Sequence, residues 1–291
     1  MDPHDSLDSV SPPPWGWSIC GLGRASRARL AAFDALSQAV PRYRYSRRSG
    51  AGNAPFETIL RDPDTHCVAI CTENADHAGR VEACLRAGKH VLVEYPLAPT
   101  GRQAASLLAL AHDQGRILHV GLIGLLTAQH GAVADALATE QVYGIELSLQ
   151  GGFTGWIAEE ARAGHYGQLA LSRLHSLWDW VGPLRLHRAE CARRADGYRL
   201  EVELRDEVGR LHRLVEQRGT TLKRSKSVRL KDPRGAAVPL SEVHAPTQVF
   251  LQDTAHVHAR IQGASPRVAD ETIVAVASLA DAVSLRVGTP C

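Results

Sequence analysis

The 291-residue chain is short of several features that assign a protein to a class at once. It has no run of about 18 apolar residues, so no membrane-spanning helix is expected. It has no charge excess of either sign. Lys and Arg number 33 against 31 Asp and Glu, a net charge of +2, which predicts no global attraction to nucleic acid or to a lipid surface. Its six cysteines (Cys20, Cys67, Cys71, Cys84, Cys191, Cys291) follow no small-scaffold spacing, and most sit in apolar runs. Reduced thiols in a cytosolic core fit that pattern better than disulfides. Residues 1–14 carry Asp, Ser, His and three consecutive prolines but no basic start and no apolar segment, which predicts a loose tail rather than a secretory signal. A metal site is not expected either. His256 and His258 stand two apart on a predicted helix and diverge, and Cys67 and Cys71 on a strand would lie about 13 Å apart, too far to share a zinc ion. A soluble, cytoplasmic protein with neither nucleic-acid nor membrane partners is the expectation.

Apolar residues make up 44% of the chain and charged residues 22%, the balance of a folded globular protein with a sizeable core. From Trp15 to about Leu126, short apolar runs alternate with helical stretches. The runs are 17–20, 43–45, 67–71, 91–93 and 117–120, with helices expected over 24–37, 75–87 and 100–114. Strands that are apolar throughout and separated by helices predict a parallel sheet covered on both faces. After about residue 140 the rhythm changes. Segments 145–153, 184–191, 198–204, 211–216 and 221–230 alternate more strictly and follow one another directly, which predicts a mainly antiparallel sheet. Helices near 168–181, 248–261 and 269–287 would pack on it. The expected fold class is therefore α/β: a tail over 1–14, an N-terminal domain over 15–126, and a C-terminal α+β domain over 127–291 built on a large, mainly antiparallel open sheet.

Gly21-x-Gly23 directly follows the first strand and precedes a helix that opens with Arg24 and Ala25. In a Rossmann domain the first glycine permits the tight turn and the second admits the pyrophosphate, which sits on the helix N-terminus. The third fingerprint position holds Ser26 rather than glycine. The second strand ends in Ser46-Arg47-Arg48 with no acid nearby. Dinucleotide sites that choose NAD place an acid there, whereas guanidinium groups suit the 2′-phosphate of NADP. NADPH is the expected cofactor. Thr72, Glu73, Glu94 and Tyr95 fall at the carboxyl ends of the third and fourth strands, the edge where open α/β sheets bind ligands.

The stretch Gly88-Lys89-His90-Val91-Leu92-Val93-Glu94-Tyr95-Pro96-Leu97 resembles the "GKHVLxEKP" segment of the Gfo/Idh/MocA oxidoreductases. The sugar and polyol dehydrogenases among them use the Lys of EKP together with an Asp and a His on a later helix. Here Tyr95, Gln168 and Ser172 stand at those places, so the usual base for a hydroxyl proton is lost. The Tyr version is similar to the biliverdin reductase A branch of that superfamily. Gly23-Arg24-Ala25, Ser46-Arg47-Arg48, Ser172-Arg173-Leu174, Leu222-Lys223-Arg224 and Phe250-Leu251-x-Asp253 match it as well. The resemblance implies NADPH-dependent reduction of biliverdin or a related linear tetrapyrrole, with a small molecule as partner. It implies a catalytic and substrate-binding role for Arg173, which holds a propionate or relays a proton through water. It gives Tyr95 a hydrogen-bonding and pocket-shaping role, and it places Lys223 and Arg224 near the pigment. Alternation along a strand over 221–230 would send Lys223 with Arg229 and Lys231 to one face, and Arg224 with Lys226 to the other. Two glutamates expected after the fifth strand are replaced by Gly121 and Gly124, which predicts extra room and less negative charge at the pocket wall. Another conjugated C=C or C=N substrate, such as a thiazolinyl imine, and a cofactor-binding sensor without turnover are the competing readings.

Overall fold

The structure is a computed structural model that describes residues 14–47, 52–138, 142–241 and 248–288. The expected tail and Arg48 lie outside the described residues, apart from Pro14. In chain order the elements are β1 Trp15–Cys20, α1 Arg24–Ala35, β2 Ala39–Tyr45, α2 Phe56–Arg61, β3 Cys67–Ile70, α3 Asn74–Arg86, β4 His90–Glu94, α4 Gly101–Asp113, β5 Leu118–Gly121, α5 Ala128–Leu137 and β6 Gly144–Gly152. There follow α6 Glu160–Ala163, α7 Tyr166–Val181, β7 Arg185–Arg194, β8 Gly197–Arg205, β9 Leu211–Gly219, β10 Ser225–Lys231, β11 Ala237–Val238, α8 Val249–Ile261 and α9 Asp270–Val287. Among the described residues no helix is long and apolar enough to cross a membrane.

The first sheet has the order β2-β1-β3-β4-β5, and every pairing in it is parallel. Its strands are apolar on both sides because both sides are covered. Trp17, Ile19, Ala69 and Leu92 pack with Phe33 of α1 on one face. Cys20, Val68, Ile70, Val91 and Val93 pack with α3 and α4 on the other. The thiols share this burial, which pushes Cys84 up to about 12; five described cysteines are unpaired.

The second sheet has the order β11-β10-β6-β9-β8-β7. Its pairings are antiparallel except for β6 with β9, so the expected antiparallel sheet carries one parallel junction. Leu147, Leu214 and Val202 share one face and pack against Leu174 and Leu177 of α7 and Val276 and Val283 of α9. The opposite face is polar, and there Glu146 collects Arg213, Arg229 and Lys231.

One expected boundary needs correction. The strand expected over 221–230 begins only at Ser225, so Lys223 and Arg224 lie in the connection from β9. The chain turns after Gly219, where Leu222 donates back to its carbonyl at 3.2 Å. Helix α8 returns to the first sheet, where Val257 joins the Trp17 cluster and the Trp17 indole donates to His258 Nε2 at 2.9 Å.

Candidate active site

β1 delivers the chain into a turn that requires glycine. Gly21 has a φ of +101°, and a Cβ there would collide with the Cys71 carbonyl; only glycine adopts this conformation without penalty. The Gly21 amide donates to the Tyr45 carbonyl at 2.9 Å, which ties the turn to the end of β2 and so to Ser46 and Arg47. Gly23 is the N-cap of α1, with open space where a Cβ would stand. No side chain caps this helix, and no acid lies in its first turn, where Arg24 is exposed and Ala25 half-buried. Its first amides and the positive end of its dipole therefore suit an anion. Ser26 at the third fingerprint position is fully buried beside the Cys71 thiol, so a small residue is needed there but not glycine. Thr72 Oγ1 is buried without a hydrogen-bond partner, the kind of orphaned group a ligand completes. The turn, the uncapped helix and this hydroxyl fit a dinucleotide pyrophosphate.

Arg47 is exposed and pairs with Asp76 near the start of α3 at 3.1 Å. Arg80 approaches the same carboxylate at 3.6 Å and lies over the rings of Tyr45 and Phe56. Glu73 and Glu94, both expected at the nucleotide, have carboxylates engaged by arginines. Glu73 receives Arg162 of α6 at 2.7 Å, beside the bond from Asn74 Nδ2 to the Ala163 carbonyl; the pair joins α3 to the segment after β6. Glu94 receives Arg29, a fully buried side chain of α1, at 2.9 Å, and Arg29 also meets Asp253 of α8 at 2.6 Å. His119 of β5 closes the group at 2.8 Å from Asp253. Burial raises the Glu94 carboxyl above its ordinary value despite Arg29. For Asp253 burial acts the same way, yet His119 and Arg29 together hold it below the ordinary value. This network fastens the end of β4, next to Tyr95, to both α1 and α8. Tyr95 packs against the hydrophobic clusters of both sheets, which places it at their junction.

The wall replacement expected to open space does so at only one position. A Cβ at Gly121 would stand 2.5 Å from Arg29 Nη2 and 3.5 Å from Glu94 Oε1. The volume there is taken by the ion network, so the expected room is absent. At Gly124 the nearest atom is Ser176 Oγ at 4.0 Å, and space does exist.

Across the junction α7 presents Arg173 to the inner face of the second sheet. Arg173 is 6% exposed and pairs with Glu216 of β9. It also donates to the Leu169 carbonyl one turn earlier and to Ser172 Oγ at 3.0 Å. Glu216 accepts from Arg218 Nε at 2.7 Å and from the Tyr198 hydroxyl at 3.1 Å. Arg173 thus belongs to a buried polar cluster rather than to a solvated helix face. Lys223 and Arg224, by contrast, are exposed and are not drawn into that cluster. The Trp180 ring stacks on His130 with centroids 4.7 Å apart, and His175 is buried in α7.

Sequence reasoning gave no role to Arg29, Tyr198, Glu216 or Arg218. The signals were present. Arg29 falls in the buried stripe Ser26–Arg29–Ala32–Phe33 of α1, and Glu216 holds an inward position in a strand whose neighbour at the same face is Leu214. A charge in an apolar register calls for a partner.

The family model "Oxidoreductase family, NAD-binding Rossmann fold" matches residues 15–122. Biliverdin reductase A of Mus musculus is 30% identical over 249 residues, spanning 82% of this chain and 83% of its own length. Biliverdin reductase A of Homo sapiens is 28% identical over 252 residues with the same shares. The biliverdin reductase of Synechocystis sp. PCC 6803, solved with biliverdin and NADP+, superposes with a TM-score of 0.81 over 95% of this chain and 100% of that one at 23% identity; this likeness establishes the fold. The chain is an NAD(P)-dependent oxidoreductase of the Gfo/Idh/MocA family and belongs to its biliverdin reductase A branch.

Proposed function

We propose that this protein reduces biliverdin, or a closely related linear tetrapyrrole, at its central methine bridge with NADPH, giving bilirubin, and that it does so in the cytoplasm. The observation that carries this reading is a relative of that activity matching most of the chain at 30% identity, together with a buried Arg173 on the helix that faces the Rossmann strand ends. Gly21, Gly23, Arg24 and Ala25 would hold the pyrophosphate, with Thr72 completing the pocket. Ser46, Arg47 and Arg48 would select the 2′-phosphate; for Arg47 this means leaving Asp76, an exposed pairing worth little. Bound NADPH supplies the hydride. The protein supplies position, charge and a proton route to a pyrrole nitrogen.

Arg173 is the leading catalytic and substrate-binding group. A guanidinium holds its proton too tightly to act as a direct acid, so its work is to fix the substrate and to order a water that relays the proton. Tyr95 shapes the pocket where the two sheets meet and offers a hydroxyl. Glu73 and Glu94 hold the strand ends rather than the nucleotide, and Lys223 and Arg224 contribute at most a distant field.

The test is purified protein with NADPH and biliverdin, followed by absorbance. Bilirubin should form, and Arg173→Ala should lower kcat/KM at least a hundredfold, equivalent to about 2.7 kcal/mol of transition-state stabilisation. Pigment binding without NADPH oxidation would reject catalysis and favour a sensor. The open space at Gly124 favours a second reading, reduction of a different conjugated C=C or C=N substrate such as a thiazolinyl imine. It predicts turnover of that imine and none of biliverdin.

A further inference from the structure

A cavity of about 20 Å³ lies between β5, α8 and the segment that leads into α9, and its polar lining is His119, Asp253, Arg260 and Arg267. The rest of its wall is apolar, Val120, Leu126 and Ile273 among it. The volume is enough for one particle of about the size of a water molecule. Helix α8 supplies one side. Asp253, His256 and Arg260 stand three and then four residues apart, so one helix face turns all three toward β5. His119 meets that face, reaching Asp253 at 2.8 Å and packing edge-on against His256 with centroids 5.7 Å apart. Arg260 donates to the Leu118 carbonyl at 2.9 Å. From the other side Arg267, exposed in the connection to α9, donates to the Leu125 carbonyl at 2.9 Å.

Positive charge around this cavity is unmatched. Asp253 is the one acid in the lining, and it is already engaged by Arg29 at 2.6 Å and by His119. Among the described residues neither Arg260 nor Arg267 pairs with a carboxylate. Each spends a donor on a backbone carbonyl and keeps the rest of its fork. Burial weakens the hold of Arg260 on its proton, opposed only by Asp270, which His112 engages at 2.9 Å. Burial also lowers the proton affinity of His256, and His119, Arg260 and Arg267 lower it further against Asp253. His256 Nε2 is buried without a hydrogen-bond partner. Cations gathered in a partly desolvated place are costly while empty and become favourable once an anion accepts charge-assisted bonds from them.

We infer that this cavity binds a small inorganic anion of about chloride size between the guanidiniums of Arg260 and Arg267, and that the anion completes the joint holding α8 on the edge strand β5. A water molecule fits the volume but leaves both charges unmatched, and an oxyanion with several oxygens exceeds it. The site shares no residue with the dinucleotide turn or the Arg173 cluster and does not rest on the proposed function.

The test uses the full chain in sodium gluconate, whose anion is too large for the cavity, with chloride replacing gluconate stepwise at constant ionic strength. Calorimetry follows the melting temperature, and chloride NMR follows the line width. Wild type should melt higher with the logarithm of chloride concentration, and the protein should broaden the chloride line until bromide displaces it. Arg267→Met, a change at an exposed side chain, should raise the chloride concentration needed for a given stabilisation at least about tenfold, equivalent to about 1.4 kcal/mol. Arg260→Met should do the same. If Arg260→Met fails to fold, Arg267→Met decides alone. Arg86→Met, which removes an exposed partner of Glu82 on α3, should respond to chloride as wild type does. A melting temperature that ignores chloride, an unbroadened chloride line, or a chloride effect equal in Arg267→Met and Arg86→Met would overturn the site.

Discussion

Gly121→Ala adds one methyl group to the end of β5, at a place where a reader of the sequence would expect room. The added Cβ would stand 2.5 Å from Arg29 Nη2, far inside van der Waals contact, with Asp253 Oδ2 at 3.4 Å and Glu94 Oε1 at 3.5 Å. The tip of an arginine would ordinarily swing away at little cost. This one is fully buried and held at 2.9 Å by Glu94 and at 2.6 Å by Asp253. Relief must come from strand movement or from loosening a buried ion pair. Overpacking of this kind costs about 1–3 kcal/mol, and complete loss of a partner for a buried charge costs about 3–5 kcal/mol. Partial displacement of Arg29 puts the expected cost at roughly 2–4 kcal/mol. With about 2–4 °C lost per kcal/mol in domains of 150–250 residues, the melting temperature should fall by roughly 4–16 °C. Urea unfolding and calorimetry measure both quantities. Gly124→Ala is the internal control: its Cβ meets only Ser176 Oγ at 4.0 Å and should cost no more than ~0.5 kcal/mol. The damage should also couple to the network, so that Gly121→Ala costs less in an Arg29→Lys background than alone. A neutral Gly121→Ala, or a Gly124→Ala that is equally harmful, would refute the reasoning.

Arg47→Ala should raise the KM for NADPH roughly tenfold, a change of about 1.4 kcal/mol, while leaving the KM for NADH nearly unchanged; equal effects in steady-state kinetics would reject the selector. Tyr95→Phe should retain at least about a tenth of wild-type kcat, because the ring's packing survives, and a hundredfold loss would make its hydroxyl the proton donor. His175 titrates at about 4 because of its burial, with Asp179 opposing. The unfolded chain, with an ordinary value near 6.5, therefore binds more protons between pH 6.5 and 4, and stability must fall as pH drops through that window. The contribution is roughly 3 kcal/mol, so His175→Gln should flatten the curve of chemical stability between pH 6.5 and 4.5. An unaltered slope would contradict it.

The parts legible in the sequence were those set by local pattern. Apolar runs such as Cys67–Ile70, buried at every residue, have no reading other than a strand covered on both faces. Gly21 announced its turn because no other residue fits its backbone. The strands of the second sheet were visible through their alternation, but not the parallel pairing of β6 with β9, which joins residues 67 apart in the chain, such as Glu146 and Arg213, and leaves no local mark. The return of α8 to α1 was hidden for the same reason. Its apolar stripe records that it packs, not on what. The chemistry at the junction was the least legible. Glu94 and Glu73 stand at the expected strand ends, but their partners Arg29 and Arg162 come from distant elements. Arg173 was identifiable as a residue, while the Glu216 that fixes it was visible only as an acid at an inward strand position. Lys223 and Arg224 were placed on a strand because basic residues alternate through it. The turn after Gly219 consumes them first.

Hydride delivery to the methine bridge is the central claim, and isotope tracing addresses it without reference to any variant. NADPH carrying deuterium on the transferred position of its nicotinamide is incubated with the protein and biliverdin, and the product is examined by mass spectrometry and NMR. The account predicts one deuterium per molecule on the central methine carbon of bilirubin. A bilirubin without deuterium, deuterium at any other carbon, or unaltered biliverdin beside intact NADPH would contradict it.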